Sequence, residues 1–217
     1  MRPLGETLAG QGLTVLGVRL AGHGTRPADL KGKTYHHWID SAAVGLAELK
    51  TVCDKVYVAG LSMGGTIALH LAANYHVDGV IAICAPVYLD LKLYLARPLK
   101  HLLGFKHEVG RNIKDPVARK NHLAYTKAPL GAAIQLLALL RSVRAQLEPI
   151  TVPVQLFQAR DDLIVPPGNA PCIYHGLVNS VKKELIWLKK SGHMATLDYD
   201  KAIVFSETVR FIKEINK

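Results

Sequence analysis

The run Lys55-Val56-Tyr57-Val58-Ala59-Gly60-Leu61-Ser62-Met63-Gly64-Gly65-Thr66-Ile67-Ala68-Leu69-His70-Leu71 holds three patterns in succession. Lys55 to Ala59 is β-branched and aromatic, as a strand is. Gly60 to Gly65 is too glycine-rich for either regular structure and marks a sharp turn. Met63 to Asn74 is rich in Ala and Leu and reads as a helix. A serine between strand and helix, with glycine two positions away on each side, suits a strained turn that lifts its Oγ clear of a sheet edge. On steric grounds both glycines are expected to be needed, so that strand and helix can approach. The following helix points its amino terminus, and its dipole, at the serine. Ser62 is therefore the candidate nucleophile. The bland alternative is a Gly-Ser turn that merely reverses the chain.

Outward from this run, strand and helix patterns alternate. Leu13 to Val18 reads as a strand, Tyr35 to Lys50 as a helix and Gly79 to Cys84 as a strand. Val152 to Gln158 and Glu184 to Leu188 read as two more strands, and Ala202 to Ile215 as a closing helix. Val80-Ile81-Ala82-Ile83 is apolar without alternation, as a strand buried on both faces must be. Such β-α-β alternation predicts an α/β fold with a mainly parallel sheet and helices on both faces. Residues 87–150 interrupt it with helical composition punctuated by Pro98, Pro116 and Pro129. They are expected to form a small helical cap inserted into a core made of residues 1–86 and 151–217. An insert of this kind lies near the carboxyl ends of the strands, where ligands bind.

The chain of 217 residues is long enough for one domain with a sizeable core. Half its residues are apolar and a fifth charged, as in globular proteins generally. No apolar run reaches the roughly 20 residues that span a bilayer, and the start lacks a signal-peptide pattern. A cytoplasmic protein is expected. Cys53, Cys84 and Cys172 show no C-x-x-C spacing and are expected to be free thiols. The net charge is +10, of which residues 87–150 carry +7. Those cations are scattered and lack an aromatic platform, so nucleic acid is not an expected partner. A solvated basic surface is the simpler account, with a weak attraction to anionic lipid or an acidic substrate as the other. No phosphate loop, dinucleotide fingerprint or zinc spacing occurs, and no cofactor is expected.

Serine needs a base within hydrogen-bond reach. His193, in Ser191-Gly192-His193 after the strand Glu184 to Leu188, is the candidate. His36, His37, His101, His107, His122 and His175 are assigned to the surface. His23, in Gly22-His23-Gly24, is assigned to the lining of the site. A carboxylate must orient the imidazole. Asp161 and Asp162 both close the strand that begins at Val152, and alternation lets only one face the histidine. Asp162, ahead of Leu163-Ile164-Val165-Pro166, is favoured, leaving Asp161 exposed or paired with a cation. The Met63 N–H is the expected oxyanion donor. A second donor should come from a loop after an earlier strand, but Gly22-His23-Gly24 follows the wrong one. Losing one donor costs roughly 10²–10³ in rate.

Together the turn around Ser62, Ala159-Arg160-Asp161-Asp162 and Ser191-Gly192-His193 resemble the bacterial carboxylesterase and monoacylglycerol lipase family of α/β-hydrolases. The resemblance extends through Met1 to Leu8 and Arg19-Leu20-Ala21-Gly22-His23-Gly24. It implies the α/β-hydrolase fold with a small cap, and Asp162 as the orienting carboxylate. It also implies hydrolysis of short to medium acyl esters or monoacylglycerols through an acyl-enzyme. In that family the second oxyanion donor sits on a His-Gly loop that precedes the first helix, and this chain is expected to begin after it. A catalytically impaired remnant that binds acyl ligands or partners stays open beside the esterase. So does amide or lactone hydrolysis, or acyl transfer, on the same fold.

Overall fold

In a computed structural model, residues 1–89, 112–122 and 129–217 are described. The sheet has four strands, β1 (Tyr57–Leu61), β2 (Gly79–Ile83), β3 (Val154–Ala159) and β4 (Lys183–Leu188). They lie in that spatial order and all run parallel. The described helices are α1 (Arg2–Ala9), α2 (Tyr35–Lys50), α3 (Met63–Asn74), α4 (Pro116–Asn121), α5 (Leu130–Arg144), α6 (Asn169–Gly176) and α7 (Lys201–Ile215).

The strand side chains divide by parity, because successive Cβ atoms leave opposite faces of a sheet. Val80, Ala82, Val154 and Leu156 join one core with Ile67 and Leu71 of α3, Trp38 and Leu46 of α2, Leu139 and Val143 of α5 and Ile173 of α6. Ile81, Ile83, Phe157 and Ala159 join the opposite core with Leu4 and Leu8 of α1 and Val204, Phe211 and Ile212 of α7. Both faces are covered, which accounts for the unbroken apolar run in β2.

Leu13 to Val18 is not a strand. Its side chains alternate as a strand's do. Val15 lies against Gly5 of α1, while Leu16 and Val18 lie against Gly45 of α2. A cavity of about 1100 Å³ is lined by both this segment and β1. Among the described residues the N–H groups of Thr14 to Leu20 find no partner. Apolar packing alone sets the alternation, whereas a strand also needs a neighbouring backbone within hydrogen-bond reach.

The insert expected at 87–150 is described only in part. Of the leucine-rich stretch, Leu91, Leu93, Tyr94, Leu95, Leu99, Leu102, Leu103 and Phe105 lie outside the described residues. At its far end, α5 packs on α2 and α3 and buries Leu139, Leu140 and Val143. All three cysteines are free, Cys84 buried and the other two half-buried. Among the described residues no helix is long and apolar enough to cross a membrane.

Candidate active site

Ser62 stands at the carboxyl end of β1 with φ 56° and ψ −126°. That backbone is unusual for a residue with a Cβ and costs about 1–3 kcal/mol. It is held by the bond from the Ser62 N–H to the Ile83 carbonyl at 2.8 Å and by the start of α3 at the next residue. The steric requirement falls differently from the expected pair of glycines. A Cβ at Gly60 would stand 2.1 Å from the Gly64 carbonyl group, and one at Gly65 2.8 Å from the Ala85 Cβ. A Cβ at Gly64 would meet nothing within 4 Å. Strand and helix therefore touch through Gly60 and Gly65.

Gly60→Ala is accordingly expected to cost about 3 kcal/mol, the upper end for over-packing. The melting temperature should fall by about 10 °C in a chain of this size. Gly64→Ala, inside a helix, should leave it within a few degrees of wild type. Differential scanning calorimetry of the two variants checks the contrast.

Asp162 lies just beyond β3 and is buried. Its Oδ1 accepts from the N–H groups of Ile164 and Val165, both at 2.8 Å. Its Oδ2 accepts from His193 Nδ1 at 2.8 Å and from Gln158 Nε2 at 3.3 Å. His193 follows β4, is likewise buried, and sets Nε2 2.9 Å from Ser62 Oγ. A carboxylate only accepts, so Nδ1 carries the hydrogen, and the Nε2 lone pair is left to accept from the Ser62 hydroxyl. The three side chains come from three strand ends spread over 131 residues of sequence. Their order of contact is that of a serine, a general base and an orienting carboxylate. The Met63 N–H opens α3 beside Ser62.

Asp161 points away. Its carboxylate is exposed and pairs with Lys114 Nζ. His23 is not part of this group. Its Nδ1 lies 3.2 Å from the Ala21 carbonyl and its ring packs edge-on to Trp38 at 5.7 Å. Burial pushes its pKa down, and the bond to the Ala21 carbonyl opposes that in part. His36, His37 and His175 are exposed and His122 half-buried, whereas His101 and His107 lie outside the described residues.

Several contributors carry no sequence signal. Cys84 sits beside Asp162 and His193 with φ 46°. Burial first, and then the Asp162 charge, push its thiol far above the usual range. Cys84, Asp162 and His193 are the one trio of metal-ligating types among the described residues, with ligand atoms within 4.8 Å. The Nδ1–Oδ2 hydrogen bond already uses two of those atoms, and the thiol stays protonated at neutral pH, so the donor set is a poor one for a metal.

The loop that carries His193 is tied down by two buried carboxylates. Asp200 Oδ2 accepts from the Lys190 and Ser191 N–H groups, at 2.7 and 2.9 Å. Asp198 accepts from four, those of Lys114, Gly192, Asp115 and Tyr199. Burial raises the Asp198 pKa, but the four N–H groups outweigh it and hold the carboxyl below its ordinary value. A carboxyl with a depressed folded pKa contributes stability above its unfolded value and loses it as pH falls through the folded one. The melting-temperature advantage of wild type over Asp198→Asn is therefore expected to shrink as pH falls below about 4. Asp198→Ala orphans the four donors and should cost about 3 kcal/mol at neutral pH. Thermal melts between pH 7 and pH 3 test both statements.

The family model described as serine aminopeptidase, S33 (Hydrolase_4) matches residues 1–200. The chain is 38% identical over 213 residues to the thermostable monoacylglycerol lipase of Bacillus sp. (strain H-257), covering 97% of this chain and 84% of that one. It is 26% identical over 218 residues to the carboxylesterase of Bacillus subtilis (strain 168), covering 100% and 87%. A solved structure from work on LipS and LipT, two metagenome-derived lipolytic enzymes, superposes with a TM-score of 0.89 at 32% identity. The match covers 99% of this chain and 87% of that one.

Proposed function

This chain belongs to the serine aminopeptidase S33 (Hydrolase_4) family of α/β-hydrolases, and from that premise we propose that it is a carboxylic-ester hydrolase acting through Ser62, His193 and Asp162. The observation that carries the proposal is the continuous chain of hydrogen bonds from Ser62 Oγ through His193 to the buried Asp162. The relatives' names, a monoacylglycerol lipase and a carboxylesterase, support carboxylic esters as the class, monoacylglycerols included, and short to medium acyl chains are the range proposed.

Ser62 Oγ attacks the ester carbonyl carbon as His193 Nε2 takes the hydroxyl proton. The carbonyl oxygen becomes an oxyanion facing the Met63 N–H, a fixed dipole at the start of α3. The Asp162 carboxylate stabilises the imidazolium that forms and keeps its ring aligned. Collapse breaks the bond to the leaving alkoxide, which receives the proton from Nε2 and departs as alcohol. Water then repeats the sequence on the acyl-Ser62 ester and releases the acid. We propose that the described parts of the insert, residues 112–122 and 129–150, belong to a cap beside this site. In support, Lys114 and Asp115 bond to Asp198 beside the His193 loop, and α5 rests on α2 and α3.

The test is a substrate panel of p-nitrophenyl esters from acetate to laurate, glycerol monoesters and amino-acid p-nitroanilides. Turnover of the esters, lost in Ser62→Ala, is the expected result. Turnover of the anilides alone would replace the proposal with amide hydrolysis. Tight acyl binding without turnover would replace it with a binding protein.

A further inference from the structure

The loops carrying Asp162 and His193 leave different strands, and both meet one buried side chain that the chemistry above does not use. Asn112 Oδ1 accepts from the His193 N–H at 2.6 Å and from the Leu163 N–H at 3.0 Å. Asn112 Nδ2 donates to the Asp161 carbonyl at 3.2 Å. A single amide thus bonds the backbone on each side of Asp162 and the backbone of His193. The amide orientation is set by these partners, since only an oxygen can receive the two N–H groups. The Asn112 main chain is held as firmly. Its carbonyl abuts Gly192, where a Cβ would stand 2.2 Å away. Ile113 is buried, and the next two residues donate to Asp198, which also binds the Gly192 N–H. Asn112 cannot shift without displacing the histidine loop.

We propose that Asn112 is a positioning residue that sets the spacing between Asp162 and His193. It keeps Nδ1 on the carboxylate at 2.8 Å and so aims Nε2 at Ser62. The proposal rests on the triad reading above. Asn112 touches no substrate atom; it acts through where the other two residues stand. Its loss should therefore appear in kcat and not in KM. A misplacement of about 1 Å in such a group can cost 10²-fold in rate. Aspartate at this position keeps an oxygen for the two N–H groups but sets its second oxygen, an acceptor, against the Asp161 carbonyl, so it should restore only part of the function.

The experiment measures kcat and KM for p-nitrophenyl butyrate with wild type, Asn112→Ala, Asn112→Asp and Ser62→Ala, well below each melting temperature. Asn112→Ala is expected to lower kcat on the order of 10²-fold with KM within about threefold. Asn112→Asp is expected to recover about tenfold of that loss. A kcat for Asn112→Ala within threefold of wild type overturns the proposal, as does an aspartate variant no faster than the alanine one. Should Asn112→Ala fail to fold, Asn112→Asp decides alone. A loss of about tenfold in kcat supports the role, and a rate within twofold of wild type removes it. Activity surviving in Ser62→Ala would overturn the triad reading itself. An inactive Ser62→Ala beside a fully active Asn112→Ala overturns only the role of Asn112.

Discussion

Ser62→Ala is expected to lower kcat for p-nitrophenyl butyrate by on the order of 10⁴-fold or more, to the residue left by binding and oxyanion stabilisation. That is about 5.5 kcal/mol of transition-state stabilisation. Among the described residues, the other nucleophilic side chain beside His193 is not placed to replace Ser62. The Cys84 thiol is fully buried and held protonated. Stability should barely change. Ser62 occupies a backbone conformation that strains any residue bearing a Cβ, and alanine bears one too, so the strain remains and the melting temperature should stay within a few degrees. A fluorophosphonate should label wild type at Ser62 and leave the variant unmodified. Retained hydrolysis with retained fold would end the assignment.

Asp162→Asn is expected to cost about 10⁴-fold in kcat with the fold intact. The orientation of the new amide follows from its surroundings. The Ile164 and Val165 N–H groups face Oδ1, so the amide oxygen must stay there and the NH₂ must face His193. His193 Nδ1 would then have to accept, which moves the ring hydrogen to Nε2, where Ser62 needs a lone pair. The wrong tautomer disables the base without moving it. Asp161→Asn is the control, since it alters only an exposed pair with Lys114. Its kcat is expected within threefold of wild type, because an exposed ion pair contributes little. Steady-state kinetics of the two variants compare neighbouring carboxylates in one experiment. Similar losses in both would mean that Asp162 does not orient the histidine.

Much of the fold is legible in the chain because burial writes itself into side-chain type. The helices Tyr35–Lys50 and Met63–Asn74 have the bounds their patterns predict. The strands differ by one or two residues at their ends. β1 runs on to Leu61, since ladder bonds, and not composition, decide where a strand stops. Leu13 to Val18 shows the limit of pattern. Its alternation is real, but among the described residues its N–H groups find no partner, and alternation cannot report that. Gly64 shows the same limit at one residue. Its place in a familiar spacing suggests a steric need, while the contact itself falls on Gly65.

The site divides likewise. Ser62, Asp162 and His193 stand out in sequence because each follows a strand and chain order links them. Asn112, Asp198 and Cys84 do not. Asparagine after a variable insert, aspartate in a loop and a cysteine at a strand end are unremarkable residue types. Their roles depend on contacts to residues far away along the chain, 49 for Asn112 with Asp161 and 84 for Asp198 with Lys114.

Local pattern in this protein determined which segments are buried, where the chain turns sharply and which residue types stand at the strand ends. Those properties depend on a residue and its near neighbours, and they are written in hydropathy, period and glycine placement. Only the tertiary structure decided that Nε2 of His193 lies 2.9 Å from Ser62 Oγ, and that one amide at Asn112 bonds to both the Asp162 loop and the His193 loop. Hydrogen bonds act over about 3 Å and depend on direction. Whether two groups meet at that distance is settled by how the whole chain packs.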